Sequence, residues 1–181
     1  MTCPYLDQPD IGVNTNPIES IPVRKGHRGE CHSRIDSVMM ILRDAIRINA
    51  PPEKIFEWLR NLDTNYRDWH QDHVKWEFYG GLREGSECYC EELMHGKLHR
   101  MKGRIVKLRE NRYVEYRFSF PTSLICPGGT FAIEPDGSNS TFVATLSFRL
   151  GGVLSRLAKK RMDSVEDHMR EEGLNLKRIL E

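Results

Sequence analysis

Between Val74 and Phe148 the chain alternates short apolar runs with turn residues, and after Gly151-Gly152 it continues as one long amphipathic run. The runs are Val74–Tyr79, Ser86–Met94, Leu98–Leu108, Tyr113–Phe120, Gly129–Pro135 and Thr141–Phe148. Between them stand Gly80-Gly81, Glu84-Gly85, His95-Gly96, Glu110-Asn111, Pro127-Gly128-Gly129 and Asp136-Gly137-Ser138-Asn139. Connections this short join antiparallel neighbours, because a parallel crossover needs a dozen residues or more. The last run, Val153 to about Leu180, has helical periodicity. A curved antiparallel sheet must bury its concave face, and this helix is the element long enough to fill it.

The region before Val74 completes the pattern. Ser37–Ile48 is rich in apolar and β-branched residues and ends in the alternation Ala45, Ile46, Arg47, Ile48, which suits a strand. Pro51-Pro52 stops that strand and starts a helix, with Glu53 in the first turn and Ile55, Phe56 and Leu59 on one face. A second short helix runs from Leu62 to about Arg67. The expected architecture is α+β: about seven antiparallel strands wrapped around a long C-terminal helix, with two short helices after strand 1 and a cavity between sheet and helix. Residues 1–34 hold four of the nine prolines and no apolar periodicity, so they read as an extended arm before a core domain over 35–181. Cys3, His27, Cys31 and His32 lack the C-x2-C spacing of a zinc knot and fit a plain tail better. Covering the core, selecting a ligand or forming a homodimer are roles open to the arm.

Charge and composition narrow the partners. Twenty-seven basic against 26 acidic residues give a net charge of +1, no electrostatic footprint for nucleic acid. No apolar run approaches the length of a membrane span, and the first residues lack a basic stretch followed by an apolar one, so a cytoplasmic chain is expected. Five cysteines without framework spacing then read as free thiols. The partner that remains is a small hydrophobic or aromatic ligand.

The long helix carries the chemistry. At about 100° per residue, Met162, Val165, Met169, Leu176, Ile179 and Leu180 share a stripe facing the sheet. Glu172 sits near the middle of that stripe and His168 at its edge, one turn apart. A carboxylate on an apolar face costs several kcal/mol unless it is paired, so it calls for a cation or a hydrogen-bond network. His-x-x-x-Glu on one helix face is a half-site for zinc or a similar divalent ion. The other half belongs on the sheet. Strict alternation puts His73, Lys75 and Glu77 on one face of their strand and Val74, Trp76 and Phe78 on the other. On the next strand Cys88, Cys90, Glu92 and Met94 share a face, and the preference of cysteine for burial turns that face inward. Glu172 has a second reading, paired with an arginine such as Arg104 across the cavity.

The segment Ile48-Asn49-Ala50-Pro51-Pro52-Glu53-Lys54-Ile55-Phe56, with Trp69-His70, Glu84-Gly85-Ser86 and the long helix, resembles the START-like helix-grip superfamily over residues of about 36–181. That superfamily includes birch-pollen-allergen relatives, polyketide cyclases and lipid-transfer domains, and it implies a ligand cavity. By the same analogy His73, at the start of its strand, faces the cavity, with His70 as the competing choice. A histidine there, a glutamate on the following strand and His-x-x-x-Glu on the last helix are similar to the zinc site of the diacetylphloroglucinol hydrolase family, which cleaves a carbon–carbon bond between an aromatic ring and an acyl group. The resemblance implies His73, Glu92, His168 and Glu172 as zinc ligands, with Glu91 the rival of Glu92. Its members are longer, with an N-terminal portion over the site. Candidates to protonate the leaving carbon are Tyr89, Glu91, His99 and Tyr116. Arg100, Lys102 and Arg104 are candidates to anchor a phenolate or carboxylate, and Val165 and Met169 to line the ligand. The expected function is a zinc-dependent hydrolase of a small aromatic or polyketide-type ketone. The alternatives are a metal-free carrier of a lipid or other hydrophobic molecule, or a polyketide cyclase working by acid–base chemistry.

Overall fold

A computed structural model describes residues 37–151 and 155–181. The arm and its Cys3, His27, Cys31 and His32 lie outside the described residues. Along the chain come β1 (Ser37–Ile48), α1 (Pro52–Arg60), α2 (Leu62–Trp69), β2 (His73–Tyr79), β3 (Glu87–Met94), β4 (Lys97–Arg109), β5 (Tyr113–Phe118), β6 (Gly128–Asp136), β7 (Asn139–Gly151) and α3 (Ser155–Leu180). The order matches the expected one, with the strand ends differing by at most three residues. The run to Phe120 stops at Phe118, because the chain turns through a single 3-10 turn at Thr122–Leu124 before β6. The second helix continues to Trp69, which brings Trp69 onto its buried face.

The seven strands form one antiparallel sheet in the order β1-β7-β6-β5-β4-β3-β2. This is the helix-grip fold: α3 lies along the concave side, and α1 and α2 connect β1 to β2 at the sheet's two edges. Two features help the sheet curve. Register shifts occur in β2 between His73 and Lys75 and in β4 between Ile105 and Lys107. At the β5–β6 crossing, a Cβ on Gly129 would stand 2.3 Å from the Thr145 carbonyl oxygen and 2.6 Å from the Tyr116 hydroxyl. Only a residue without a side chain allows strands to bend this closely.

The helix is fixed to the sheet at several heights. Met169, Gly173, Leu176 and Leu180 are buried, whereas Ile179, expected on the same stripe, is 42% exposed. Gly173 closes the stripe instead, since α3 passes so near β1 that a Cβ there would lie 2.8 Å from Asp44 Oδ2. Trp69 donates its indole N–H to the Glu172 carbonyl at 2.9 Å, and Asn175 donates to the Trp69 carbonyl at 2.8 Å. At the far end Lys54 Nζ donates to the Leu180 carbonyl at 2.6 Å. Among the described residues no helix is long and apolar enough to cross a membrane.

The space between sheet and helix is packed. Trp69, Trp76, Tyr66, Tyr116, Phe131 and Phe142 fill it with edge-on and tilted ring contacts. The void left among Leu62, Trp76, Ile105, Tyr116, Phe131 and their neighbours is about 10 Å³, at the lower limit for a single water. The expected open cavity is thus filled by aromatic side chains. Cys88 and Cys90 are buried free thiols of this core, and Cys126 is a half-buried one.

Candidate active site

One end of the concave face carries a cluster of ionisable side chains. Two elements supply it. Trp69 clamps α2 to α3 at Glu172, which fixes the phase of the helix so that His168 and Glu172 face β2. On β2, one extra residue at Val74 breaks the alternation: His73 pairs with Glu92, but Lys75 pairs with Glu91. A bulge of this kind changes which side successive residues face. His73, Trp76 and Phe78 therefore all point inward, and Lys75 outward. Strict alternation had put His73 and Trp76 on opposite faces, and the bulge is the reason it fails.

The polar atoms converge. His73 Nε2 lies 2.8 Å from Glu172 Oε1, His168 Nε2 lies 3.5 Å from the same oxygen, and the two Nε2 atoms are 3.4 Å apart. His73 Nδ1 is 3.0 Å from the Tyr66 carbonyl oxygen. A carbonyl can only accept, so Nδ1 carries the proton, and Nε2 meets the carboxylate either as an imidazolium N–H or as a lone pair facing a shared cation. Burial alone would raise the Glu172 carboxyl, but hydrogen bonds from His168 and His73 and the charge of both rings hold it down at about 2. For His168, burial favours the neutral ring, and this is outweighed by the hydrogen bond and charge of Glu172 and by Glu92 and Asp72, so its pKa is raised.

Tyr66 supports the cluster in three ways. Its carbonyl accepts from His73, its ring stacks on the His73 ring at 3.9 Å and 7°, and its hydroxyl donates to Glu92. The sequence carried a signal for it: Leu62, Tyr66 and Trp69 fall at i, i+4 and i+7, the spacing of one helix face. His70 is also buried, so the two histidines do not compete. One ring nitrogen from each of His70, His73 and His168 lies within 4.8 Å of the others.

The remaining candidates divide by face. Glu92 points inward toward Tyr66. Tyr116 is buried in the aromatic core, Met169 is 2% exposed, and Val165 is half-buried against that core. His99 has the inward parity of Met101 and stands opposite Glu92, but near the β3–β4 turn it is exposed. Tyr89 and Glu91 lie on the convex face, where Tyr89 donates to Glu91 and Arg100 Nε pairs with Glu91 at 3.2 Å. Arg104 pairs with Glu87 at 3.5 Å, and Lys102 is exposed. Alternation along β3 and β4 turns Tyr89, Glu91, Arg100, Lys102 and Arg104 away from the cluster, so as acid, anchor or partner of Glu172 they are corrected.

The family model for polyketide cyclase/dehydrase and lipid transport matches residues 39–181, from β1 to the end of α3. The chain belongs to this family. Solved structures with the same fold include the Zhui aromatase/cyclase of a Streptomyces species, at 16% identity and TM-score 0.64, covering 77% of this chain and 92% of that one. Norcoclaurine synthase of Thalictrum flavum, solved with dopamine and hydroxybenzaldehyde, gives 11% identity and TM-score 0.63, covering 88% and 96%. Ara h 8.0201 gives 12% identity and TM-score 0.59, covering 79% and 98%. Identities at this level show the common helix-grip fold. No functionally curated protein matches the sequence.

Proposed function

We propose that this member of the family is an enzyme acting on a small, largely apolar carbonyl compound, with His73, His168 and Glu172 as a divalent-metal centre. The observation behind it is the convergence of two imidazole nitrogens and one carboxylate oxygen at 2.8, 3.4 and 3.5 Å. Donors about 2.0–2.1 Å from a tetrahedral zinc stand about 3.3 Å apart, so the three atoms already sit near the corners of such a site. The outer hydrogen bond from His73 Nδ1 to the Tyr66 carbonyl is the kind that orients metal-binding histidines. A divalent ion bound there supplies a Lewis acid for a carbonyl group.

The chain's own residues do the rest. With an ion bound, His73 and His168 would present Nε2 lone pairs and Glu172 would balance the charge, and the aromatic core would shield the ligand's apolar part once its side chains make room. Trp76, which lines the small void, adds one donor: its indole N–H is buried without a partner among the described residues. A ligand carbonyl or hydroxyl entering there would satisfy it. Hydrolysis of an acyl–aryl bond is the first reaction to test.

The second reading is a metal-free cyclase or ligand carrier. It rests on the family match and on the aromatase/cyclases among the structural neighbours. In that case His73 and His168 would exchange protons with a ligand while Glu172 steadies the imidazolium. Elemental analysis of protein purified without chelator or nickel separates the two. Near-stoichiometric zinc in the wild type, lost in His168→Ala and Glu172→Gln, supports the metal centre, and a wild type without metal removes it. Acyl-phenols assayed for carboxylate release, beside a linear polyketide mimic assayed for ring closure, then distinguish hydrolysis from cyclisation.

A further inference from the structure

We propose that His70 is the fourth donor of this centre, oriented by the surface carboxylate of Glu171, and that Glu92 stands outside it. The inference rests on the metal-centre reading and names its donor set.

His70 is 4% exposed, and its ring lies 3.9 Å from that of His168, centroid to centroid. Its Nε2 is 3.0 Å from Glu171 Oε2, so the Nε2 proton is donated to that carboxylate. Nδ1 is left as the lone-pair nitrogen; it accepts the Asp72 backbone N–H at 3.1 Å and lies 3.9 Å from Asp72 Oδ2, contacts that an ion would replace. A carboxylate on one nitrogen of an imidazole, with the other nitrogen kept as the lone-pair atom, is the arrangement that orients metal-binding histidines. With His73 held by the Tyr66 carbonyl, two of the three imidazoles have one nitrogen on an outer acceptor, and one nitrogen from each of the three lies within 4.8 Å of the others.

Glu92 is placed differently. Its carboxylate takes the Tyr66 hydroxyl, and among the described residues it makes no ion pair with any of the three imidazoles. Reaching the cluster would cost it a hydrogen bond to a charged acceptor, whereas His70 would give up only a neutral backbone N–H. On its solvent side His70 walls an open cleft of about 370 Å³, with Glu171, Leu174, Asn175 and Arg178 along α3. His70 is therefore the donor that a molecule arriving through this cleft meets first.

Zinc titration of the full metal-free chain against a chromophoric chelator tests the assignment, with visible absorption of the cobalt-loaded protein reporting the donor set. His70→Ala is expected to weaken zinc by about 100-fold or more and to change the cobalt spectrum. Glu171→Gln, at a side chain 60% exposed, is expected to weaken zinc by about 10-fold, in the range found for outer partners of metal ligands. Glu92→Gln is expected to stay within about 3-fold with the spectrum unchanged. Circular dichroism and the melting midpoint check folding, and where His70→Ala fails to fold, Glu171→Gln carries the test. Glu92→Gln weakening zinc as much as His168→Ala, or His70→Ala and Glu171→Gln binding like the wild type, overturns the inference alone. A wild type that takes up neither metal overturns the metal-centre reading with it.

Discussion

Tyr66 concentrates more of the cluster's geometry than any residue that does its chemistry. Tyr66→Phe keeps the ring on His73 and the backbone carbonyl, and removes only the hydroxyl from Glu92. A hydrogen bond to a charged acceptor is worth about 1.5–3 kcal/mol, so chemical denaturation should show a loss of that size. A loss below about 0.5 kcal/mol would mean that Glu92 finds another donor. The thiols offer a second prediction. Burial pushes Cys88 and Cys126 up to about 11, against about 8.5 for an unfolded thiol. A raised pKa stabilises the fold below the unfolded value and is lost as pH rises through the folded one. Stability should therefore fall between about pH 8.5 and 11, and Cys88→Ala with Cys126→Ala should flatten that slope. At pH 8 iodoacetamide should label the peptides carrying both cysteines only after unfolding. Burial of Cys88 and Cys90 was legible from residue type, and through it the inward face of β3. Glu171 was not, and of Tyr66 only its place on a buried helix face was, because what they hold lies across the fold rather than along the chain.

At the scale of elements, the strand-and-helix order followed from turn residues and periodicity, which are local. What escaped were irregularities that exist only between strands. The bulge at Val74 has no composition signal, since valine is an ordinary strand residue, yet it decides that His73 and Trp76 share a face. Ile179 fitted the helical stripe by angle, but the buried face of α3 centres on Met169, Gly173, Leu176 and Leu180, which leaves Ile179 at its exposed edge, and Gly173 closes the contact with β1. The bend at Gly129 yields a direct test. Alanine there drives a methyl group to 2.3 Å from the Thr145 carbonyl oxygen and 2.6 Å from the Tyr116 hydroxyl. Overpacking against backbone costs at least about 2 kcal/mol, so the melting midpoint of Gly129→Ala should drop by about 4–8 °C for a domain of this size. An unchanged midpoint would show that β6 can slide to make room.

For the molecule as a whole, the contents of the fold matter more than its outline. The fold's identity was legible from the chain, but the packing of its interior was not, because ring-to-ring contacts join residues from α2, β2, β5, β6 and β7. With a void of about 10 Å³, a ligand of naphthol size can enter only if side chains such as Trp76 and Phe131 move. Binding that waits on such a rearrangement is slower than the usual 10⁵–10⁷ M⁻¹s⁻¹. Stopped-flow tryptophan fluorescence with 2-naphthol should show a rate that levels off as ligand concentration rises. A rate linear to the highest concentration would mean that the ligand binds outside the core, as in the cleft beside His70.

The bulge on β2 also bears on how this centre tolerates insertions and deletions. Val74 is the single residue by which β2 exceeds β3 between the His73–Glu92 and Lys75–Glu91 pairs. An in-frame loss of its codon would leave His73 opposite Glu92 and on the same face as Trp76, but would remove the bend and added twist that the bulge gives β2. His73 Nδ1, now 3.0 Å from the Tyr66 carbonyl, would lose its acceptor while the sheet kept its ladder. On the metal-centre reading such a variant would keep the fold and hold a metal ion more weakly.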